Sequence, residues 1–211
     1  MDKSECHGPF SLAHPLVLAS ASPRRKDLLS SLCLEFEVIP CVDEEPDPDP
    51  GELPYEYARR VSALKAKKVS RKRPKAVTLA ADTIVVIDGQ ILGKPQGIND
   101  AVSMLTRLSG RWHTVYTAGM ILWPQRRIEE SFLQESKVHI LSQPQEVLRA
   151  YAGTGEPLDK AGSYAIQGIG AFMVDEIRGS YTNVVGLPLE KVVSILLRIG
   201  ALRIRHDIQR T

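Results

Sequence analysis

The chain has 211 residues, with 27 Lys and Arg against 25 Asp and Glu, a formal net charge of +2. Hydrophobic residues make up 43% and charged residues 25%, globular proportions that exclude a wholly disordered chain. So even a charge does not suit a protein that coats nucleic acid, and no run approaches the ~20 apolar residues of a membrane span.

Residues 1–14 contain acids, Gly and Pro but no apolar signal-peptide core. They read as a flexible N-terminal extension before a single domain over 15–203, with 204–211 as a C-terminal tail. Cys6, Cys33 and Cys41 form no C-x-x-C pair. Such a sparse set reads as free thiols in a reducing cytosol, and so as a cytoplasmic protein.

Elements follow in chain order. Residues 17–19 read as a buried strand and 24–32 as a helix. Ser22 is a good N-cap for that helix and Pro23 suits its first turn. Residues 35–40 alternate polar and apolar, as a strand does. The acidic, Pro-rich stretch 43–54 is a loop. Residues 55–69 form an amphipathic helix with Lys65 on its polar face. A basic turn spans 70–75. Residues 77–81 lead to Asp82 at a strand end, and 83–87 is a further β-branched run. Asp88-Gly89 signals a hairpin turn, with 90–92 returning. Asn99 or Asp100 caps a helix over 101–110. Residues 112–123 are a long strand, paired antiparallel with 131–140 across a polar turn at 125–130. A helix follows at 143–151, short strands among glycines from 164, and a closing helix at 189–199. Strands and helices so mixed imply an α/β fold around a mixed or antiparallel sheet.

Several residues could carry chemistry. Ser22, Arg24 and Arg25 stand where a helix start offers free N–H groups and the positive end of its dipole, a plausible phosphate cradle. A P-loop pattern is absent. From these residues alone, phosphate binding and surface arginines, one paired with an acid, are equally open. Asp82 lies in an apolar run, where an unpartnered carboxylate is costly. It reads as a turn acid, a metal ligand or a general base. With an acid of the Asp43-Glu44-Glu45 cluster it could hold magnesium or manganese. Lys65, Lys94 and Lys160, with the two arginines, suggest a polyanionic small molecule. Gln167, in a Gly-rich stretch, could donate to and accept from a nucleobase edge.

Taken together and in this order, LASASPRRKDLL, the acids after EVIP, the helix with Lys65, ADTIVV, ILGKP, AVSMLTRLSGRWHTVYT, EPLDKAGSYAIQGIGA and NVVGLPL resemble the Maf-like nucleoside triphosphate pyrophosphatases. The match runs over about 17–202. The resemblance implies a Maf/inosine-triphosphatase-like fold: an elongated mixed sheet flanked by helices, with a nucleotide cleft between two lobes. It implies hydrolysis of dTTP and UTP, and of modified pyrimidine nucleotides, to monophosphate and pyrophosphate, which clears nucleotide pools. A divalent metal would be needed and a homodimer is expected, with neither nucleic acid nor membrane as partner. Asp82 falls at the proton-acceptor position, and Arg24, Thr83 and Gln167 at positions linked with substrate choice. Ser22, Arg25, Lys65 and Lys94 fall at phosphate-binding positions, and Glu44 with Asp82 at the metal. A non-catalytic nucleotide-binding regulator of cell division is the alternative role. The chain departs from the family pattern at Ala80, where Gly is frequent, and in its Pro-rich acidic loop.

Overall fold

The computed structural model describes residues 7–41 and 45–205. Its spine is β4 (Val77–Ile87), an uninterrupted eleven-residue strand. Ten of those residues are buried, which explains the nearly continuous apolar run: the strand is covered on both faces. Along one edge, β4 runs antiparallel to β6 (Trp112–Trp123) from Thr78 to Val86. The other edge changes partner. The short β2 (Leu16–Leu18) runs parallel to residues 77–79, and β5 (Gln90–Leu92) runs antiparallel to 85–87. Between those two partners lies the stretch that holds Asp82 and Thr83. Among the described residues the sheet order is β3-β2-β4-β6-β7-β8, where β3 is Glu37–Val38, β7 Ile128–Ile140 and β8 Val174–Arg178. The sheet is mixed: β2, β3 and β4 are parallel, and the remaining pairs antiparallel.

Alternation along β4 sorts its side chains between two layers. Ala80, Ile84 and Val86 pack with α2 (Pro54–Ser70), through Tyr57, Ala58, Val61, Ala66 and Val69. On the opposite face, Val77, Leu79 and Ala81 join a core with Leu29 of α1 (Pro23–Ser30) and Val192 and Leu196 of α5 (Leu189–Arg198). Val85 and Ile87, on that same face, join a second core with Leu105 of α3 (Ile98–Leu108) and Leu148 of α4 (Gln145–Gly153). Thr83 lies between the two cores, and this division forms two lobes.

Several expectations are corrected. Asp82 lies within a continuous strand, not at a strand end, because β6 pairs across the whole stretch while the opposite edge is left for the cleft. Lys65 is on the sheet-facing side of α2, not its polar face. It follows Ala58, Val61 and Ser62 at helical spacing, and its side chain is only 14% exposed. α3 begins at Ile98 after an N-cap at Gly97. The Asp100 carboxylate instead accepts the Gln96 N–H at 2.9 Å. No strand forms over 164–173: the chain bends at 166–168, where Gly168 takes a positive φ, and enters a 3-10 turn at Ile169–Met173, after earlier 3-10 turns at Glu156–Asp159 and Ala161–Ser163. A strand follows only at β8.

Residues 10–12, within the segment expected to be a flexible extension, form β1 (Phe10–Leu12) and pair antiparallel with β9 (Leu202–Ile204). Phe10 and Leu12 pack on the first core, so apolar burial holds the segment down. Cys33 is disulfide-bonded, which corrects the expectation of free thiols. Cys41 is free. Among the described residues no helix is long and apolar enough to cross a membrane.

Candidate active site

The gap beside β4 opens into a cleft of about 620 Å³. Asp82 points to the α2 side. Its Oδ1 accepts from Lys65 Nζ at 2.7 Å, and the same ammonium donates to Glu45 Oε1 at 2.6 Å. One lysine thus holds two carboxylates, and the Asp82 side chain is 6% exposed. A buried carboxylate needs such a partner. Partial burial pushes the Glu45 carboxyl's pKa up, but Lys65, Lys94 and Arg25 outweigh it and the net direction is down. The Tyr57 phenol beside them is pushed up to about 12, chiefly by burial and then by the charges of Asp82 and Glu45.

Thr83, the next residue, faces the opposite layer and meets Arg25. That guanidinium donates to Gly186 O at 2.8 Å, Thr83 Oγ1 at 2.9 Å and Ser20 Oγ at 3.3 Å. Among the described residues no carboxylate pairs with it. Burial, the largest influence, lowers the Arg25 pKa, with Asp82 and Glu45 opposing and Arg24 reinforcing. Arginine stays charged through such shifts, so Arg25 presents a cation in the cleft wall. Its position is set by a hydrogen-bond chain. Thr117 donates to Asn183 O at 3.0 Å, and its oxygen lies 2.9 Å from Thr83 Oγ1. Thr83 and Thr117 face each other in the β4–β6 register.

The other predicted residues fall around the same cleft. Ser22 caps α1 by accepting the Arg25 N–H at 3.4 Å, with Pro23 opening the helix. Arg24 lines the cleft and lies 3.5 Å from Asp159. Lys94 is exposed at the rim after β5, and Gln167 is exposed on the far wall. Glu44 lies outside the described residues. Lys160 also lines the cleft, and donates to Asp159 Oδ1 at 2.6 Å and Glu156 O at 2.5 Å. Sequence reasoning missed Ser20, Tyr57, Glu45's bond to Lys65, Thr117 and Tyr164. Only the small-polar run at Ser20 left a trace in the sequence. Tyr164 lines the cleft and meets His113 Nε2 at 2.8 Å. Burial, with a smaller push from His139, lowers His113 to about 4. Burial raises the Tyr164 phenol.

Fold and cleft together define a mixed α/β protein with a polar cleft, cationic on one wall and carrying paired carboxylates on another. The Maf-like protein family model matches residues 15–199. The dTTP/UTP pyrophosphatase of Nitratidesulfovibrio vulgaris is 46% identical over 202 residues, 96% of each chain. The protein of that name from Desulfotalea psychrophila is 49% identical over 191 residues, covering 90% of this chain and 97% of its own. The chain belongs to the Maf-like proteins. A solved nucleoside-triphosphatase / dITP/XTP pyrophosphatase from Mycobacterium abscessus covers 88% of this chain and 95% of its own at 14% identity, with a TM-score of 0.43. That likeness is too loose to bear on chemistry.

Proposed function

We propose that this protein is a nucleoside triphosphate pyrophosphatase that hydrolyses dTTP and UTP to monophosphate and pyrophosphate. The observation that carries the reading is the convergence of Asp82, Lys65, Glu45 and Arg25 on one cleft. The names of the relatives support the same activity. Arg25, which no carboxylate pairs with among the described residues, suits a phosphate that arrives with the substrate. Arg25, Lys65, Lys94 and the start of α1 at Ser22 hold the triphosphate, with Arg24 beside them. Asp82 orients a water and takes its proton as the water attacks the α-phosphorus, and pyrophosphate leaves. Such chemistry depends chiefly on positioning and charge neutralisation.

The residues present suit a divalent ion. Asp82 and Glu45 bring hard carboxylate oxygens to one cation, Lys65, and phosphate oxygens would complete the shell. Among the described residues no group of three or more His, Cys, Asp or Glu forms a ready-made metal site. Asp82 and Glu45, with Glu44 as the sequence suggests, would hold magnesium or manganese, which supplies charge neutralisation on the phosphates. Gln167 on the far wall reads a pyrimidine edge. Thr83 bears on substrate choice through its bond to Arg25. The same reading carries a cytoplasmic homodimer.

The test is product analysis across a panel of nucleoside triphosphates with magnesium and then manganese. UTP and dTTP should give the highest kcat/KM and yield monophosphate with pyrophosphate. Diphosphate with inorganic phosphate as products would overturn the reaction assignment, and a purine nucleotide as best substrate would overturn the specificity. The division-regulator role is less well supported, because a pure binding module has no need of a carboxylate buried at the cleft.

A further inference from the structure

The segment that carries Gln167 is fastened from behind. Glu156 Oε1 accepts the Ile169 N–H at 2.9 Å. Its Oε2 accepts the Gly170 N–H at 2.9 Å and the Tyr151 hydroxyl at 2.8 Å. That hydroxyl in turn accepts the Ala165 N–H at 3.2 Å. One tyrosine–carboxylate pair therefore holds the chain on both sides of Ile166, Gln167 and Gly168. A carboxylate can only accept, so it suits a site with three converging donors, and its charge strengthens each bond. Burial raises the Glu156 pKa, but its hydrogen bonds from Tyr151, Gly170 and Ile169 and the charge of Lys160 outweigh that, and the net direction is down.

The glycines show how close the fastening is. Gly168 has φ 100, and a Cβ there would lie 2.2 Å from Glu156 Oε1. A Cβ on Gly170 would lie 2.3 Å from the Tyr151 hydroxyl and 2.8 Å from Ala165 O. Side chains at either position would displace the pair. Tyr151, on α4, is 3% exposed in the second core with Leu105 and Leu108 of α3, so packing holds its ring in place. Neither Tyr151 nor Glu156 lines the cleft.

We infer that Glu156 and Tyr151 are positioning residues that set the pyrimidine preference by holding Gln167 in place. The inference rests on the proposed reading of the base by Gln167. An exposed amide on a loop discriminates only when its direction is fixed, since displacement of about 1 Å can cost 100-fold. The glycines give the segment its path, and the pair removes its freedom.

The test uses the full-length enzyme. Glu156→Gln keeps the size but replaces an acceptor oxygen with an amide NH2. Tyr151→Phe keeps the core ring and removes only the hydroxyl, so it decides the matter if the first variant does not fold. Both should speed hydrogen exchange at the Ile169 and Gly170 amides. Both should lower the UTP-over-GTP ratio of kcat/KM, by about 10- to 100-fold for Glu156→Gln, mainly through the KM for UTP. GTP hydrolysis should stay near the parent rate. Glu156→Gln added to Gln167→Ala should lower the ratio no further than Gln167→Ala alone. The inference is overturned by an unchanged ratio, by equal losses on UTP and GTP, or by unchanged exchange at both amides. Failure of the underlying base reading shows separately, as a Gln167→Ala enzyme that keeps the parent ratio.

Discussion

The two walls of the cleft are built differently. On the wall proposed to hold the phosphates, charged and hydroxyl side chains come from regular elements: Asp82 and Thr83 from β4, Lys65 from α2, Arg24 and Arg25 from α1. Their directions follow from strand alternation and helical spacing; Lys65 meets Asp82 and Arg25 meets Thr83 within the set, and Glu45, Ser20 and the Gly186 carbonyl complete their bonds. On the base wall, Gln167 comes from a run of 3-10 turns and positive-φ glycines. Its direction depends on side chains behind the loop, Tyr151 and Glu156. A charge acts over several ångströms and tolerates small displacement, whereas a hydrogen bond to a base edge does not. On the proposed reading, regular elements suffice for the anion, while recognition of a base needs the anchor behind its loop.

The comparison can be broken most sharply at Asp82. Asp82→Asn should cut kcat about 100- to 10,000-fold while circular dichroism and the unfolding transition stay close to the parent's. A variant that releases pyrophosphate from UTP at the parent rate would remove Asp82 from the reaction. Arg25→Lys should lose about 100-fold in kcat/KM, because a single ammonium cannot reach Ser20, Thr83 and Gly186 together. That loss should fall on all triphosphates alike, as expected of the phosphate wall, and steady-state kinetics on UTP and GTP would show it.

Beneath the base wall, His113 should make the fold acid-sensitive. Its pKa falls from 6.5 to about 4 in the folded chain, so below 6.5 the unfolded chain binds the proton more readily. The stability this group contributes is complete above about pH 6.5 and is lost as pH falls through about 4. The loss is about 3 kcal/mol. Urea midpoints from pH 7.5 to 4 should show a slope that His113→Gln reduces; equal slopes in both proteins would dismiss His113 as its source. The smallest effect belongs to Ser22→Ala, which removes a long cap bond of 3.4 Å. About 0.5–1 kcal/mol of stability should be lost, measured by urea denaturation, with the UTP-over-GTP ratio unchanged.

Much of the phosphate wall was legible because charge type and local geometry were enough to suggest it. SPRR announced a capped helix start, and an acid amid apolar residues announced a buried partner. The errors there were of placement. A lysine in an amphipathic helix reads as belonging to the polar face, yet its long stem lets Lys65 lie on the sheet side with its ammonium at Asp82. A charge that breaks an apolar run reads as a strand end, whereas Asp82 stays inside β4. The base wall was legible only as glycines and a glutamine. Nothing near Gln167 in the sequence shows that Tyr151 and Glu156 hold it, since those bonds cross turns whose path depends on the packed core.

By itself the sequence determined the order and type of most elements, the charges available for an anion, and membership in a family. Periodicity, capping and composition act over a few residues, and so can be read along the chain. Only the tertiary structure decided that β4 changes edge partners beside Asp82, that Thr83 and Thr117 stand opposite each other to set Arg25, and that Glu156 holds the loop of Gln167. These contacts join residues 34 apart at Thr83 and Thr117, and 58 apart at Arg25 and Thr83. Register and packing select them, and neither is written in any local stretch of chain.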